Sequence, residues 1–144
     1  MYDLSYPAVF KTHEDGEIVV HFPDLPEALT GANEESEAFA EAVDCLQEAL
    51  AVRIVERKEI PAASPMKRGH RSIPVALYLA PKVALYLALR ESGLSNLEFA
   101  RKLGRDESIV RRMLNPKHNT KPELIQKALD LLGKQLVVSV KDAA

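Results

Sequence analysis

Arg111 and Arg112 are the residues of this sequence whose type and spacing best suit a defined chemistry. A guanidinium group can donate paired hydrogen bonds to the edge of a guanine or to a phosphate. Both arginines fall in the segment 107–114, where apolar residues at helical spacing leave the arginines on the opposite face. A short helix that exposes two arginines fits the major groove of DNA, and its N-terminus favours an anion. The alternative is an ordinary helical hairpin with solvated charges.

The residues before this segment predict a preceding helix and a turn that would position it. Ser95 and Glu98 have the spacing of a capping box, so a helix is expected to begin after Ser95. Gly104 can adopt the left-handed conformation that ends a helix, and Asp106 is expected to cap the next one. The predicted inward positions of the two helices are Leu97, Ala100, Leu103, Ile109, Val110, Met113 and Leu114. These signals together predict a helix-turn-helix within 94–116.

The segment 81–136 resembles Cro and the phage-repressor-like regulators. The resemblance rests on Ser-Asn-Leu-Glu-Phe-Ala-Arg-Lys-Leu-Gly at 95–104 and on Arg-Arg-Met-Leu-Asn-Pro-Lys-His-Asn-Thr-Lys at 111–121. It implies that the second helix reads bases, while the first helix and the basic loop that follows the second helix contact phosphates. The candidate DNA-binding residues are Glu107, Ser108, Arg111, Arg112 and Asn115, together with Asn96, Lys117, Asn119 and Lys121 as phosphate contacts.

The charged residues divide the chain into an acidic part and a basic part. Residues 1–80 contain 14 acidic and 7 basic side chains, a net charge of −7, whereas residues 81–144 contain 7 and 12, a net charge of +5. These values predict two small domains, 1–80 and 81–144, of which only the second favours the phosphate backbone of DNA. The first would favour a basic partner, unless the asymmetry is a chance distribution of solvated faces.

The first domain opens with two segments rich in β-forming residues, 5–12 and 17–22. Gly16, between them, can take the positive φ that a hairpin turn requires. The next segment contains two prolines, which predict a shaped loop that leads into a short strand near 28–30. The first domain is therefore expected to begin with a hairpin and a third, shorter strand.

A long helix is predicted to begin at 33–36 and to end near Lys58, with Pro61 as its stop. The apolar positions expected to cover the sheet are Phe39, Val43, Leu46, Leu50 and Ile54, with Ala42 and Ala49 beside them. The acidic positions expected to be solvated include Glu37, Glu41, Asp44 and Glu48. The segment 62–72 is predicted to be a loop, and its basic residues would either help to hold nucleic acid or be solvated. These residues are Lys67, Arg68 and Arg71.

The hexamer Val-Ala-Leu-Tyr-Leu-Ala occurs twice, at 75–80 and at 83–88, so its structure must depend on the flanking residues. The first copy continues an alternation that begins at Ile73 and is predicted to be a strand docked on the sheet. The second copy follows Pro81, which favours the first turn of a helix, and leads to the stop signal Gly93. We therefore predict a strand, then the domain boundary, then a helix.

The C-terminal part of the second domain is predicted to contain a helix and a strand. Residues 121–132 have helical apolar spacing and are followed by Gly133. The apolar segment 136–140 is predicted to be a short strand without an evident partner in a helical domain. Pairing with the same strand of a second subunit would give a homodimer or a higher even oligomer. Docking on the sheet of the same chain is the alternative.

The segment 6–61 is similar to the HicB antitoxin family. The similarity rests on Tyr-Pro-Ala-Val-Phe at 6–10, Val-Val-His-Phe-Pro-Asp-Leu-Pro-Glu-Ala at 19–28 and Leu-Gln-Glu-Ala-Leu at 46–50. It implies a partial ribonuclease H-like domain that binds and blocks HicA, a small basic mRNA-cleaving toxin, in a protein that also represses its own operon. The candidates for contact with the toxin are Asp24, Leu25 and Glu27.

Nuclease chemistry is the enzymatic alternative, because ribonuclease H enzymes hold two divalent metals with clustered carboxylates. Asp15, Asp24 and Glu27 fall in a turn and in a proline-flanked loop, and they are not expected to meet. Cys45 is expected to be packed in the long helix. The histidines show no metal-binding motif; they are His13, His21, His70 and His118. We therefore predict no enzymatic activity, no metal and no cofactor.

No segment approaches the roughly 20 apolar residues needed to cross a bilayer, so a soluble cytoplasmic protein is expected. The predicted fold is α+β. It combines a partial ribonuclease H-like domain of three to four strands and one long helix with an all-helical helix-turn-helix domain that ends in a short strand. The predicted function is an antitoxin that neutralises a HicA-type toxin and, as a dimer, represses its operon by binding operator DNA. The alternative is a helix-turn-helix regulator whose N-terminal domain senses a small ligand.

Overall fold

The computed structural model describes residues 2–142 of the chain. The fold is α+β, as predicted, and two compact units divide between Ala80 and Pro81. In chain order the elements are β1 (Ser5–Thr12), β2 (Ile18–Phe22), β3 (Leu25–Ala32), α1 (Glu35–Val55), β4 (His70–Pro74), α2 (Ala80–Ser92), α3 (Asn96–Leu103), α4 (Glu107–Leu114) and α5 (Pro122–Leu131). The classification of the first unit as ribonuclease H-like stays a prediction.

The four strands form one antiparallel sheet in the order β3-β2-β1-β4. The predicted hairpin of β1 and β2 is confirmed, with Val9 opposite His21 and Gly16 at a φ of 91° in the turn. β3 is longer than the strand predicted near 28–30 and includes Pro26. A proline is tolerated there because β3 lies at the edge of the sheet, where one side of the strand needs no backbone donor.

Helix α1 packs against the sheet, but its inward face differs from the predicted one near its N-terminus. Ala38 and Ala42 are fully buried, whereas Phe39 and Val43 are half-buried at the margin. Small side chains let the helix backbone approach the sheet closely, so the alanines take the central positions. Phe39 packs at the rim instead, where the guanidinium carbon of Arg71 lies 5.2 Å from the centre of its ring.

Helix α1 ends at Val55, before the predicted end at Lys58 and well before Pro61. Arg57 has a φ of 57°, so the chain leaves the helix through a left-handed residue rather than at the proline. Pro61 has another role, because its carbonyl accepts a 2.7 Å hydrogen bond from the hydroxyl of the buried Tyr6. This bond holds the segment after α1 against the first strand.

The prediction of a strand for the first hexamer, 75–80, is wrong. The strand β4 lies earlier, partly in the segment predicted to be a loop, and the chain turns at 77–79 before α2 begins. The side-chain oxygen of the buried Gln47 accepts a hydrogen bond of 2.9 Å from the N–H of Ala76, so this donor is not available to a neighbouring strand. The second copy of the hexamer lies in α2, as predicted.

The helices of the second unit enclose a core whose fully buried side chains include Leu85, Phe99, Val110, Met113 and Leu129. The predicted helix over 121–132 is confirmed as α5. Leu97, predicted to face inward, is 46% exposed, and Phe99 fills the interior instead. The helix α3 is therefore rotated from the orientation that its leucines suggested. Within residues 2–142, no helix is both long enough and apolar enough to cross a membrane.

The predicted strand at 136–140 is not formed. These residues have no regular secondary structure, and the side chains of Val137, Val138 and Val140 are exposed. A strand needs a neighbour that pairs with its backbone groups, and residues 81–142 contain no strand that could serve.

Candidate functional site

The start of α3 and the turn after it are built as predicted. The N–H of Glu98 donates to Ser95 Oγ and the N–H of Ser95 donates to Glu98 Oε1, each at 3.1 Å. Hydrogen bonding from Ser95 to the carboxylate, chiefly from its backbone N–H, lowers the pKa of Glu98. Gly104 ends α3 with a φ of 70°. Asp106 precedes α4 in an extended conformation, but its side chain makes no cap hydrogen bond, contrary to the prediction. The first N–H groups of α4 therefore lack a side-chain cap.

Helix α4 buries Val110 and Met113 and presents Arg111 and Arg112 to solvent, as predicted. Arg111 is paired with Glu107 one turn earlier, with 3.2 Å between Nη1 and Oε1. Because both side chains are more than one-third exposed, the pair is weak, and the guanidinium can exchange the carboxylate for a phosphate. The exposed face of α4 thus has the chemistry expected of a surface that reads DNA.

The loop between α4 and α5 is shaped by its own side chains. Asn115 Oδ1 accepts a hydrogen bond of 3.0 Å from the N–H of Lys117, and His118 Nδ1 lies 3.0 Å from Thr120 Oγ1. Asn115 therefore shapes the loop in addition to being a candidate for DNA contact. The predicted phosphate contacts with exposed side chains in this loop are Lys117, Asn119 and Lys121.

The structure adds basic residues that sequence reasoning missed. Arg101 and Arg105 border an open depression at the turn between α3 and α4, and Arg105 and Lys127 border a second one beside the loop. Positive charge was the signal in the sequence that could have selected them, since they lie outside the motif residues chosen as candidate DNA contacts. Two other candidates, Asn96 and Ser108, are half-buried in the first turns of their helices and keep part of each side chain at the surface.

The first unit exposes a row of carboxylates on α1, which we call the acidic α1 face. Its members recur every three or four residues and are Glu37, Glu41, Asp44 and Glu48. The same spacing continues into Val52 and Val55, which are 46% and 68% exposed. A row of carboxylates that ends in exposed apolar side chains suits a basic protein partner that also offers an apolar contact.

The three residues predicted to contact a toxin take part in the packing of the first unit. The Asp24 carboxylate accepts hydrogen bonds from the N–H of Ser64, at 2.9 Å, and from its hydroxyl. Glu27 accepts two from Arg53, and this pair lowers the pKa of Glu27. Leu25 is fully buried, so its side chain cannot contact a partner of the folded unit, and the prediction for this residue is corrected.

The carboxylates considered for nuclease chemistry are engaged separately. Asp15 accepts a 3.0 Å hydrogen bond from the N–H of Glu17 in the hairpin turn, whereas Asp24 and Glu27 have the partners just described. In the part of the chain that the structure describes, no three His, Cys, Asp or Glu side chains are grouped so that they could hold a metal ion. Cys45 is half-buried, and burial raises the pKa of its thiol, which disfavours a nucleophilic thiolate.

The sequence of the first unit matches a known protein family. Residues 5–84, more than half of the chain, match the family described as HicB_like antitoxin of bacterial toxin-antitoxin system. The chain belongs to the HicB-like antitoxin family. This confirms the family predicted from residues 6–61. The residues of this HicB-like antitoxin that match the family lie almost entirely within the first unit.

Relatives of this HicB-like antitoxin align along nearly its whole length. Antitoxin HicB 2 of Photorhabdus laumondii subsp. laumondii is 38% identical over 134 residues, which are 93% of this chain and 94% of that protein. Antitoxin HicB of Escherichia coli is 34% identical over 133 residues, 92% of this chain and 96% of that protein. Antitoxin HicB of Pseudomonas fluorescens is 31% identical in an alignment that covers 97% of this chain and 97% of that protein. The role that these names give is non-enzymatic, in agreement with the prediction for this chain.

Proposed function

We propose that this HicB-like antitoxin neutralises a HicA-type, mRNA-cleaving toxin with residues 1–80 and represses its own operon with residues 81–144. The observation that carries the proposal is the family match over residues 5–84, because an antitoxin requires a toxin as its partner. The relatives named antitoxin HicB, which align with more than nine-tenths of the chain, support the same role for the whole protein. Both partners, operator DNA and a toxin that cleaves mRNA, would be met in the cytoplasm.

The acidic α1 face is the surface that we assign to the toxin. Within residues 2–142 its carboxylates form no salt bridge, whereas Glu27 and Glu35 are paired with arginines of the same unit. The net charge of −7 over residues 1–80 would attract a basic protein before contact. Val52 and Val55 would then supply the apolar part of the interface.

Co-expression with the product of a small reading frame next to the antitoxin gene tests this assignment, with growth rescue and co-purification as readouts. The variant Glu41→Lys/Asp44→Lys should lose both, because it reverses two charges at the centre of the acidic α1 face. Glu14→Lys/Glu17→Lys changes the net charge equally at the hairpin turn and should retain both. Equal behaviour of the two variants would exclude this face as the docking surface. If the neighbouring product is not toxic and forms no complex, the toxin-binding role itself fails.

DNA binding by residues 81–144 is supported by the paired helices α3 and α4, the exposed arginines of α4 and the net charge of +5. Base contacts would come from Ser108, Arg111 and Arg112, with Glu107 and Asn115 orienting their neighbours. Phosphate contacts would come from Asn96, Lys117, Asn119 and Lys121.

The variant Arg111→Ala/Arg112→Ala tests the DNA-binding role. It should abolish binding to a duplex that covers the promoter of the operon, abolish repression of a reporter and leave toxin neutralisation intact. Lys11→Ala/Lys58→Ala removes the same charge from the first unit and should leave DNA binding unchanged. If the arginine variant loses toxin neutralisation together with repression, the division of functions between 1–80 and 81–144 is wrong.

A dimer would match the two-fold symmetry of an operator, with half-sites about 34 Å apart. We assign the dimer contact to residues 136–140, whose exposed valines would pair with the same segment of a second copy. Val138→Pro removes a backbone donor from such a strand, so light scattering should detect a monomer, whereas Val138→Thr should remain a dimer. A dimeric Val138→Pro variant would place the contact elsewhere.

A further inference from the structure

Lys82 is an unusual residue of the second unit because its side chain is only 3% exposed. Lysine is almost never buried unless its ammonium group is satisfied. Lys82 lies in the first turn of α2, where the helix dipole disfavours a positive charge. No Asp or Glu within residues 2–142 forms a salt bridge with it. Neither its own helix nor an ion pair therefore accounts for its position.

The ammonium group of Lys82 instead joins three oxygen atoms from two other parts of the unit. Its Nζ lies 3.2 Å from the carbonyl oxygen of Arg112, 3.0 Å from that of Met113 and 3.0 Å from Thr120 Oγ1. The two carbonyls belong to the last turn of α4, where a cation is favoured, and that of Arg112 also accepts a hydrogen bond of 3.1 Å from the N–H of Asn115. Thr120 belongs to the loop that connects α4 to α5.

Both parts that Lys82 holds carry residues of the proposed DNA surface. The last turn of α4 contains Arg111 and Arg112, and the loop contains Lys117 and Asn119. We propose that Lys82 is a positioning residue for DNA binding, which sets the end of α4 and the basic loop in one geometry without touching DNA. This inference rests on the proposed DNA-binding function, and it assigns a specific role to a buried residue outside the candidate DNA contacts.

The test uses the full-length protein and a duplex that covers the promoter of its own operon. Lys82→Met keeps most of the side-chain volume but removes the donors, and Lys141→Met makes the same chemical change at an exposed position. We expect Lys82→Met to weaken binding to this duplex about tenfold or more, which is the loss expected when a bidentate base contact is misplaced. Lys141→Met should bind within about twofold of the wild type, and both variants should neutralise the toxin.

The combined effect of substitutions at Lys82 and Lys117 on DNA affinity distinguishes a positioning role of Lys82 from a general loss of stability. In the wild type, Lys117→Ala should weaken DNA binding and reduce its salt dependence, because one phosphate contact is lost. In the Lys82→Met background the loop is displaced, so the same change should have little further effect. Additive effects of the two substitutions would overturn the inference, since independent sites add.

Thr120→Val provides a second route if Lys82→Met does not fold. It removes the bond from Lys82 to the loop, together with the contacts that the same hydroxyl makes with His118 Nδ1 and with the carbonyl oxygen of Arg112, and it leaves both bonds from Lys82 to the carbonyls of α4. It should therefore weaken DNA binding less than Lys82→Met and remove the effect of Lys117→Ala. Unchanged affinity with an unchanged effect of Lys117→Ala would overturn the inference. A wild-type protein that does not bind the promoter duplex would instead show that the proposed DNA-binding function, and with it this inference, is wrong.

Discussion

Arg53 and Glu27 are joined by two hydrogen bonds, with 2.6 Å between Nε and Oε2 and 2.9 Å between Nη2 and Oε1. The pair connects α1 to the edge strand β3. A third bond of Arg53, 2.6 Å from Nη1 to the carbonyl oxygen of Glu59, holds the segment that follows α1. One guanidinium group therefore fixes a strand, a helix and a connecting segment of the first unit.

Arg53→Lys should lower the free energy of unfolding of the first unit by about 1 kcal/mol, because an ammonium group cannot reproduce the paired geometry. Chemical denaturation followed by circular dichroism measures this change. Glu56→Gln breaks the more exposed pair with Lys58 and should cost less than about 0.5 kcal/mol. Equal costs for the two variants would contradict a special role for Arg53.

The same pair has a consequence in acid. The hydrogen bonds from Arg53 lower the pKa of Glu27. The stabilisation from the ionised pair is therefore complete at pH values above the pKa of an unfolded glutamate, and it is lost as the pH falls through the lowered pKa of the folded state. Glu27→Gln should therefore reduce stability at pH 7 more than at pH 3. A cost that does not change with pH would show that the pair contributes little through charge.

The sequence was sufficient to predict those features of the structure that depend only on neighbouring residues. The capping box at Ser95 and the left-handed Gly104 are each defined by a few adjacent residues, and the structure has both. The strand near the domain boundary was misplaced because its hexamer also occurs in a helix, and the deciding contact comes from Gln47, far away in the sequence. Similarly, only a tertiary contact could show that Glu27 is paired with Arg53.

Tyr6→Phe should destabilise the first unit by about 1 kcal/mol, because the carbonyl of Pro61 loses its buried donor. Burial raises the pKa of Tyr6 to about 12. An unfolded tyrosine loses its proton near pH 10, so the unfolded chain releases a proton that the folded chain keeps, and the stability due to Tyr6 falls as the pH rises from about 10 to 12. Denaturation curves at pH 8 and pH 11 should show this loss in the wild type and a smaller one in Tyr6→Phe.

Ser95→Ala should cost about 1 kcal/mol in the second unit, because it removes an acceptor from the first turn of α3. Hydrogen exchange should increase first at the N–H of Glu98, which loses its partner. Lys102→Ala, at an exposed position of the same helix, should leave this exchange unchanged. An unaltered rate at Glu98 in Ser95→Ala would mean that packing, rather than the capping box, defines the start of α3.

Lys82 gives the second unit an expected dependence on alkaline pH. Burial lowers its pKa to about 8, whereas an unfolded lysine titrates near 10.4. Between these values the unfolded chain binds more protons than the folded chain, so the contribution of Lys82 to the free energy of unfolding should rise by about 2 kcal/mol from pH 7 to pH 10. Lys82→Met lacks this titration but keeps Tyr6 and Cys45, which titrate in the first unit in both proteins, so the difference between wild type and variant isolates Lys82. A difference that stays constant with pH would mean that the three oxygen acceptors offset burial and keep the ammonium charged.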